Sequence, residues 1–182
     1  MKTYIALLRG INVGGHRSLK MSELINSMLS LGFEKVNTLI QSGNVIFCSA
    51  ISDNNQLERM IENKIKLEYG FDVPVIIKSL PELKNIIENN PFETETPEAI
   101  KQLYITFLKT PPTMELFDKF SAIAFAPDKF LVRNDVVYGL IFQSYAHTKF
   151  NNSFIEKKLN ILATTRNWNT ILKLAVMNNL PL

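Results

Sequence analysis

The order of apolar patterns along the first 80 residues restricts the fold more than any other feature of the sequence. Continuous or alternating apolar residues predict strands, and apolar residues at helical spacing predict helices. The predicted elements are a strand at 4–9, a helix from about Met21, strands at 36–41 and 44–49, a helix at 54–68 and a strand at 73–78. Ser42-Gly43 joins the two middle strands in a hairpin. This βαββαβ order is that of the ferredoxin-like α+β fold.

The second half of the chain repeats most of this order. A strand at 103–109, a helix after Thr113, strands at 130–133 and 136–142 and a helix at 152–160 are predicted. A further helix after Thr165 takes the place of a clear last strand. Between the halves, residues 89–97 contain Pro91 and Pro97 and suit a linker. We therefore predict two ferredoxin-like modules with antiparallel sheets, 1–90 and 98–182, the second with an extra C-terminal helix.

Composition narrows the class of protein. With 182 residues, 46% of them hydrophobic and 20% charged, the chain can bury a core and is neither disordered nor fibrous. The single cysteine, Cys48, cannot form an internal disulfide or by itself a thiolate metal site, and it fits a reducing compartment. No apolar run is long enough for a signal peptide or a membrane span. We expect a cytoplasmic protein with neither a membrane partner nor a bound metal.

A glycine-rich loop follows the first strand and leads into the first helix. Its sequence is Arg9-Gly10-Ile11-Asn12-Val13-Gly14-Gly15-His16-Arg17. Glycines allow backbone N–H groups to turn toward an anion, and the start of a helix adds a positive dipole end. The loop fits neither of the common nucleotide motifs. His16 and Arg17 stand where a phosphate-binding loop has Lys and Ser or Thr. The spacing from Gly10 to the next glycine does not fit the dinucleotide-binding motif. A tight turn without a ligand is an equally good interpretation.

A second motif, Gln41-Ser42-Gly43-Asn44, forms the predicted hairpin turn. The turn needs no ligand to explain it. In a βαββαβ fold, however, the first and second strands run parallel, so the exit of the first strand and this hairpin emerge at the same end of the sheet. We therefore expect Arg9, Asn12, Gln41 and Asn44 to line one mouth.

A third motif is Thr164-Thr165-Arg166-Asn167-Trp168-Asn169-Thr170. Thr165 is predicted to cap a helix whose buried face includes Trp168. That interpretation leaves Arg166, Asn167 and Asn169 unexplained, and these side chains donate well to phosphate oxygens. If all three motifs form one site, Arg9 or Asn12 lies within hydrogen-bonding reach of residues 165–169.

Residues suited to catalysis are few. His16 and His147 are the only histidines, and no zinc-protease, paired Cys/His or serine-hydrolase motif is present. His147 precedes Thr148 and Lys149 and could act as a base, although an exposed loop histidine is the commoner case. Cys48 lies in a predicted strand and is expected to be an inert thiol.

Taken in order, the motifs Arg9 to Gly15, Gln41 to Val45 and Thr165 to Thr170 resemble the bacterial domain-of-unknown-function family "sixteen-ninety-seven". The resemblance covers nearly the whole chain. It implies a two-part ferredoxin-like protein of the cytoplasm and implies no activity. Thr148-Lys149 looks like the Ser-Lys pair of that family, whose loop often has a lysine where this chain has His16.

Three functional hypotheses remain open. The first is an anion-binding protein for the phosphate of a nucleotide or nucleic acid. The second is an enzyme that acts on a small phosphorylated or carboxylated substrate between the modules, with His16 or His147 as acid and base. The third is a structural or protein-interaction module without a small-molecule site, in which Asn44 and Asn169 are buried and their polar groups bond to protein backbone. No cofactor is indicated, and the candidate ligand-binding residues are Arg9, Gly10, Asn12, Gly14, Gly15, Gln41, Ser42, Asn44, Thr148, Lys149, Thr165, Arg166, Asn167 and Asn169.

Overall fold

A computed structural model describes residues 1–15, 17–92, 94, 96–142, 144–145 and 147–180. By internal packing the chain divides into two units. The first comprises Met1–Lys84 with residues 177–180, and the second comprises Asn85–Val176. The module boundaries 1–90 and 98–182 stay a prediction from the sequence.

The first unit has the predicted βαββαβ order. Its elements are β1 (Lys2–Leu8), α1 (Met21–Ser30), β2 (Glu34–Leu39), β3 (Asn44–Ser49), α2 (Asn54–Tyr69) and β4 (Val75–Ser79). A further helix, α3 (Leu80–Glu88), begins directly after β4. The strands lie in the order β2-β3-β1-β4, and every neighbouring pair is antiparallel.

Helix α2 packs against the sheet and also supplies hydrogen bonds to the edge strand β4. Glu62 accepts a hydrogen bond from the backbone N–H of Val75 at 2.8 Å, and the buried Glu58 accepts one from Ile77 at 3.0 Å. An edge strand otherwise leaves such N–H groups without a partner in the sheet. These two carboxylates therefore fix the position of α2 along β4.

The second unit repeats the same order. After α4 (Pro97–Gln102) come β5 (Leu103–Leu108), α5 (Met114–Ser121), β6 (Lys129–Arg133), β7 (Val136–Leu140), α6 (Asn152–Leu159), β8 (Ala163–Asn167) and α7 (Trp168–Met177). The strand order is β6-β7-β5-β8, with antiparallel neighbours throughout. The predicted α+β fold of two modules with a C-terminal helix is therefore confirmed. The core of this unit includes a cluster of phenylalanine rings at 120, 125, 130, 150 and 154.

The predicted helix start at Thr165 is wrong. Thr165 lies within β8 and pairs with Thr106 of β5, so the second unit has a last strand that was not predicted from its sequence. The helix begins at Trp168 instead, and Asn167 acts as its cap by accepting a hydrogen bond from the Thr170 N–H at 2.9 Å. Consecutive threonines suit a strand as well as a cap, and pairing along β5 decides between them.

Helix α4 falls partly in the segment predicted to be a linker. Thr96 caps it by accepting a hydrogen bond from the Ala99 N–H, and Pro97 occupies the first turn, where a missing N–H costs nothing. Among the described residues, no helix is both long and apolar enough to cross a membrane.

Candidate functional site

The glycine-rich loop and the β2–β3 hairpin contain most of the left-handed backbone of the chain. The described residues include thirteen with positive φ, and seven of these lie in the two loops: Gly10, Asn12, Gly14, Gly15, Arg17, Ile40 and Gly43. For a β-branched residue such as Ile40, at φ 51°, this conformation is strained. Such strain tends to concentrate at functional sites.

Asn12 holds these two loops together. Its Nδ2 donates to the carbonyl of Leu19 at 2.9 Å and to the carbonyl of Gln41 at 2.8 Å. Its Oδ1 accepts a hydrogen bond from the Leu19 N–H at 2.8 Å. The side-chain amide thus joins the glycine-rich loop and the segment before α1 to the hairpin, and the predicted meeting of these two motifs is confirmed.

A backbone hydrogen bond also joins the hairpin to the end of β1. The Leu8 N–H donates to the Gly43 carbonyl at 2.8 Å. Asn44 is fully buried, and its Nδ2 donates to the Leu39 carbonyl at 3.2 Å and to Ser42 Oγ at 3.0 Å. Asn44 therefore shapes the turn from inside, as the structural hypothesis expects.

Three cationic residues lie in or directly beside the glycine-rich loop in the sequence. Arg9 is half-buried, whereas Arg17 and Lys20 are exposed. Arg17 Nη1 lies 3.5 Å from the position that a Cβ on Gly10 would take. Lys20, at the N-cap position of α1, makes no side-chain capping hydrogen bond and pairs with Glu23 at 3.3 Å. His16, predicted as a possible acid-base residue, lies outside the described residues.

Within the second unit, the third motif makes several polar contacts. Thr165 Oγ1 shares a hydrogen bond of 2.8 Å with Thr106 Oγ1 and donates to Asn152 Oδ1. Arg166 is buried, and its Nη1 donates to Thr164 Oγ1 at 2.7 Å and to the Thr165 carbonyl at 2.9 Å. Burial lowers the pKa of Arg166 to about 10.

Asn167 and Asn169 complete the third motif, and both are exposed. The exposure of Asn169 differs from the structural hypothesis, which expects it to be buried. The roles of Thr165, Arg166, Asn167 and Asn169 as ligand residues stay a prediction.

Thr148 and Lys149 border a pocket of about 320 Å³ in the second unit, together with His147 and Asp128. Thr148 Oγ1 donates to Asp128 Oδ2 at 2.6 Å, and the Phe142 N–H donates to Asp128 Oδ1 at 2.9 Å. His147 and Lys149 are exposed at the rim. The sequence argument missed Asp128, because a lone aspartate after a proline carries no motif. Within the described part of the chain, no cluster of His, Cys, Asp and Glu could hold a metal ion.

A family model described as "Protein of unknown function (DUF1697)" matches residues 1–138. The chain is similar to a solved structure, that of the conserved bacterial protein SP0830 from Streptococcus pneumoniae, with 25% sequence identity and a TM-score of 0.72. That likeness covers 97% of this chain and 98% of the other. Among curated proteins, none matches significantly.

Proposed function

This chain belongs to the DUF1697 family of proteins of unknown function, and we propose that it binds an anionic ligand at the glycine-rich loop. The ligand is the phosphate group of a nucleotide or of a nucleic acid. The observation that carries the proposal is the presence of Arg9, Arg17 and Lys20 around one left-handed loop at the start of α1.

The chemistry of this loop suits phosphate for two reasons. Arginine side chains bind phosphate with two parallel hydrogen bonds, and several of them around one loop raise the local concentration of an anion. The first N–H groups of a helix have no partner within the helix, and the N-cap of α1 is Lys20, whose ammonium group has no acceptor to offer them. A phosphate oxygen can accept those bonds.

The hydrogen bonds of Asn12 support the proposal in a different way. They connect Asn12 to the hairpin at Gln41 and to Leu19 just before α1, so this part of the loop is held in place before a ligand arrives. A preformed loop loses less conformational freedom on binding, which favours affinity. Gln41 is exposed, and its backbone carbonyl accepts a hydrogen bond from Asn12, which supports Gln41 as a further ligand residue beside the loop.

Salt-dependent binding tests the proposal. We expect short single-stranded RNA to bind at about 50 mM salt, and Arg17→Ala to weaken binding and to reduce the slope of log K against log salt by about 0.7 for each lost phosphate contact. The matched control is Arg59→Ala, because Arg59 is an exposed arginine on α2 of the same unit. Nucleotides are tested in parallel by thermal shift. The proposal fails if neither class binds, or if the two arginine variants behave alike.

A second function is favoured by the pocket of Asp128 and His147 in the second unit. His147 can transfer a proton and Lys149 can hold a phosphate or carboxylate, so the pocket suits an enzyme of small anionic substrates. Turnover of p-nitrophenyl phosphate or p-nitrophenyl acetate that His147→Ala abolishes would support this function. Turnover of neither compound, or turnover that His147→Ala leaves unchanged, would count against it.

A further inference from the structure

A second pocket of the first unit lies at the opposite end of β1 from the glycine-rich loop. Its volume is about 570 Å³, within the range of pockets for small organic molecules. Residues of four segments line it: the start of β1, the segment before α2, the start of α2, and the end of β4 with the start of α3. No motif of the sequence pointed to this place.

Tyr4 is a buried residue whose hydroxyl borders this pocket. The residue is 2% exposed, and among the described residues nothing forms a hydrogen bond with its hydroxyl. Among the described residues no fully buried side-chain N or O atom lacks a partner, so the Tyr4 hydroxyl is open to the pocket and is available to a ligand atom. Burial raises the pKa of the Tyr4 hydroxyl and the nearby Glu82 carboxylate raises it further. The hydroxyl therefore stays protonated and can donate.

The carboxylate of Glu82 already has partners within the protein. Its Oε2 accepts from the Ser79 N–H at 2.8 Å and from Ser79 Oγ at 2.6 Å, which forms the capping box of α3. Its Oε1 lies 3.7 Å from the buried ammonium group of Lys78. The inner end of the pocket is thus next to a carboxylate, which disfavours an anionic group there and favours a neutral one.

The remaining lining groups suit a planar heterocycle. The half-buried side chain of Asn54 has no hydrogen bond to the described residues, and its amide offers a donor beside an acceptor. Asparagine pairs in this way with the edge of a nucleobase. Leu80 and Pro81 provide apolar surface for the face of a ring, and the exposed Lys2 stands at the rim.

In the second unit, a side chain fills the place that corresponds to this pocket. Tyr104 has the same register position as Tyr4, because Tyr4 pairs with Ser79 and Tyr104 pairs with Asn167, and each partner precedes a helix. On Tyr104 lies the ring of Tyr145, stacked at 4.5 Å. The Tyr145 hydroxyl accepts a hydrogen bond from the N–H of Asn152, the first residue of α6. An aromatic ring with a hydrogen-bond acceptor thus fills this place in the second unit.

We propose that the pocket bordered by Tyr4 and Asn54 binds the base of a nucleoside or nucleotide, with the base edge on Asn54 and an acceptor of the ring on the Tyr4 hydroxyl. This site is separate from the glycine-rich loop and does not depend on the function proposed for that loop. A phosphate on the ligand would point outward to Lys2.

The test uses the four nucleosides adenosine, guanosine, cytidine and uridine, which carry no phosphate. In titrations followed by NMR of the full chain, at least one nucleoside shifts the backbone amide signals of Tyr4 and Asn54. Tyr4→Phe and Asn54→Ala each raise Kd at least about fivefold, as expected for one lost hydrogen bond. The matched controls Tyr104→Phe and Asn55→Ala change Kd less than about twofold.

Three outcomes of these experiments would overturn the proposal. It fails if no nucleoside shifts these signals at millimolar concentration, or if the variants and their controls bind alike. It also fails if ribose 5-phosphate produces the same shifts, because the anion and not the base is then recognised. Tyr4→Phe keeps the ring and loses no hydrogen bond to the described residues, so an unchanged unfolding midpoint verifies that the variant is folded. Arg17→Ala is expected to weaken RNA binding at the glycine-rich loop without changing nucleoside binding at the Tyr4 pocket. The two proposals can therefore fail separately.

Discussion

Replacing Gly43 by alanine tests whether the two loops at the end of β1 are as closely packed as the structure indicates. Gly43 has a φ of 75°, which an L residue adopts only with strain. A Cβ built on it would lie 2.7 Å from Leu8 Cβ and 2.9 Å from Ile11 Cδ1. Leu8 is buried within β1 and cannot withdraw its Cβ without moving the strand.

The expected loss of stability follows from two contributions. The left-handed conformation costs an alanine about 1 kcal/mol. Overpacking a buried contact of this kind costs about 2 kcal/mol more. We therefore expect Gly43→Ala to reduce the free energy of unfolding of the first unit by about 3 kcal/mol. Gly70→Ala is the matched control, since Gly70 has a φ of 76° and no atom within 4 Å of its Cβ position. It should lose only the conformational contribution, about 1 kcal/mol.

Hydrogen exchange at the Leu8 amide measures this effect locally. That amide donates to the Gly43 carbonyl at 2.8 Å, and local exchange avoids treating a chain of two units as a single unfolding transition. The two variants should differ in the opening free energy of this amide by about 2 kcal/mol. Equal losses in Gly43→Ala and Gly70→Ala would refute the steric part of the argument.

Four further substitutions have definite expected outcomes. Asn12→Ala should destabilise the first unit by about 2 kcal/mol, read at the Leu19 amide, because three hydrogen bonds are lost; a loss near zero contradicts this. Ile40→Asn should stabilise it by about 1 kcal/mol in urea unfolding, since asparagine tolerates a φ of 51°; destabilisation would exclude strain. Arg166→Ala should cost about 3 kcal/mol in the same assay through its lost hydrogen bonds and the void left behind. Burial raises the pKa of Tyr138 from 10.0 to about 12, so the stability it confers is complete below pH 10 and is lost as the pH rises toward 12. Tyr138→Phe should therefore lose less stability than the wild type over that range, and identical pH profiles would contradict the assignment.

Local patterns were sufficient to predict most of the first unit. Alternation or continuity of apolar residues predicts a strand wherever one face or both faces are buried, and β3 was predicted with its observed bounds, Asn44–Ser49. Apolar patterns predict the bounds of a strand less well where the strand ends in polar residues. Strand β1 begins at Lys2 rather than Tyr4, because pairing with β3 extends it beyond the apolar run.

Strand β8 could not be predicted from the same patterns. Its five residues, Ala163–Asn167, include two threonines, an arginine and an asparagine, and this composition also suits a helix cap. Pairing with β5 makes the segment a strand, and such a partner lies more than fifty residues away in the sequence. The buried Arg166 donates from its Nη1 to its sequence neighbours Thr164 and Thr165, but its burial depends on the place of β8 in the sheet.

Of the two candidate sites in the first unit, one could be predicted from the sequence and the other could not. The meeting of the glycine-rich loop with the hairpin followed from topology alone, because β1 and β2 run in the same direction and end at one edge of the sheet. The pocket at Tyr4 did not follow, because Tyr4 belongs to an apolar run and is a core residue by every local measure. Only the surroundings of its hydroxyl distinguish it from a core tyrosine such as Tyr138, which donates to the Ile86 carbonyl at 3.0 Å.

The difference between the two units at this place comes from one connection. Only residues 50–53 join β3 to α2 in the first unit, whereas residues 141–151 join β7 to α6 in the second. The longer connection carries Tyr145, whose ring covers Tyr104 and bonds to the start of α6. The shorter one has no aromatic side chain, so the corresponding space beside Tyr4 stays open as a pocket. Since both sheets have the same strand order and the same register at this tyrosine, loop length and not the fold decides which unit has room for a ligand ring there.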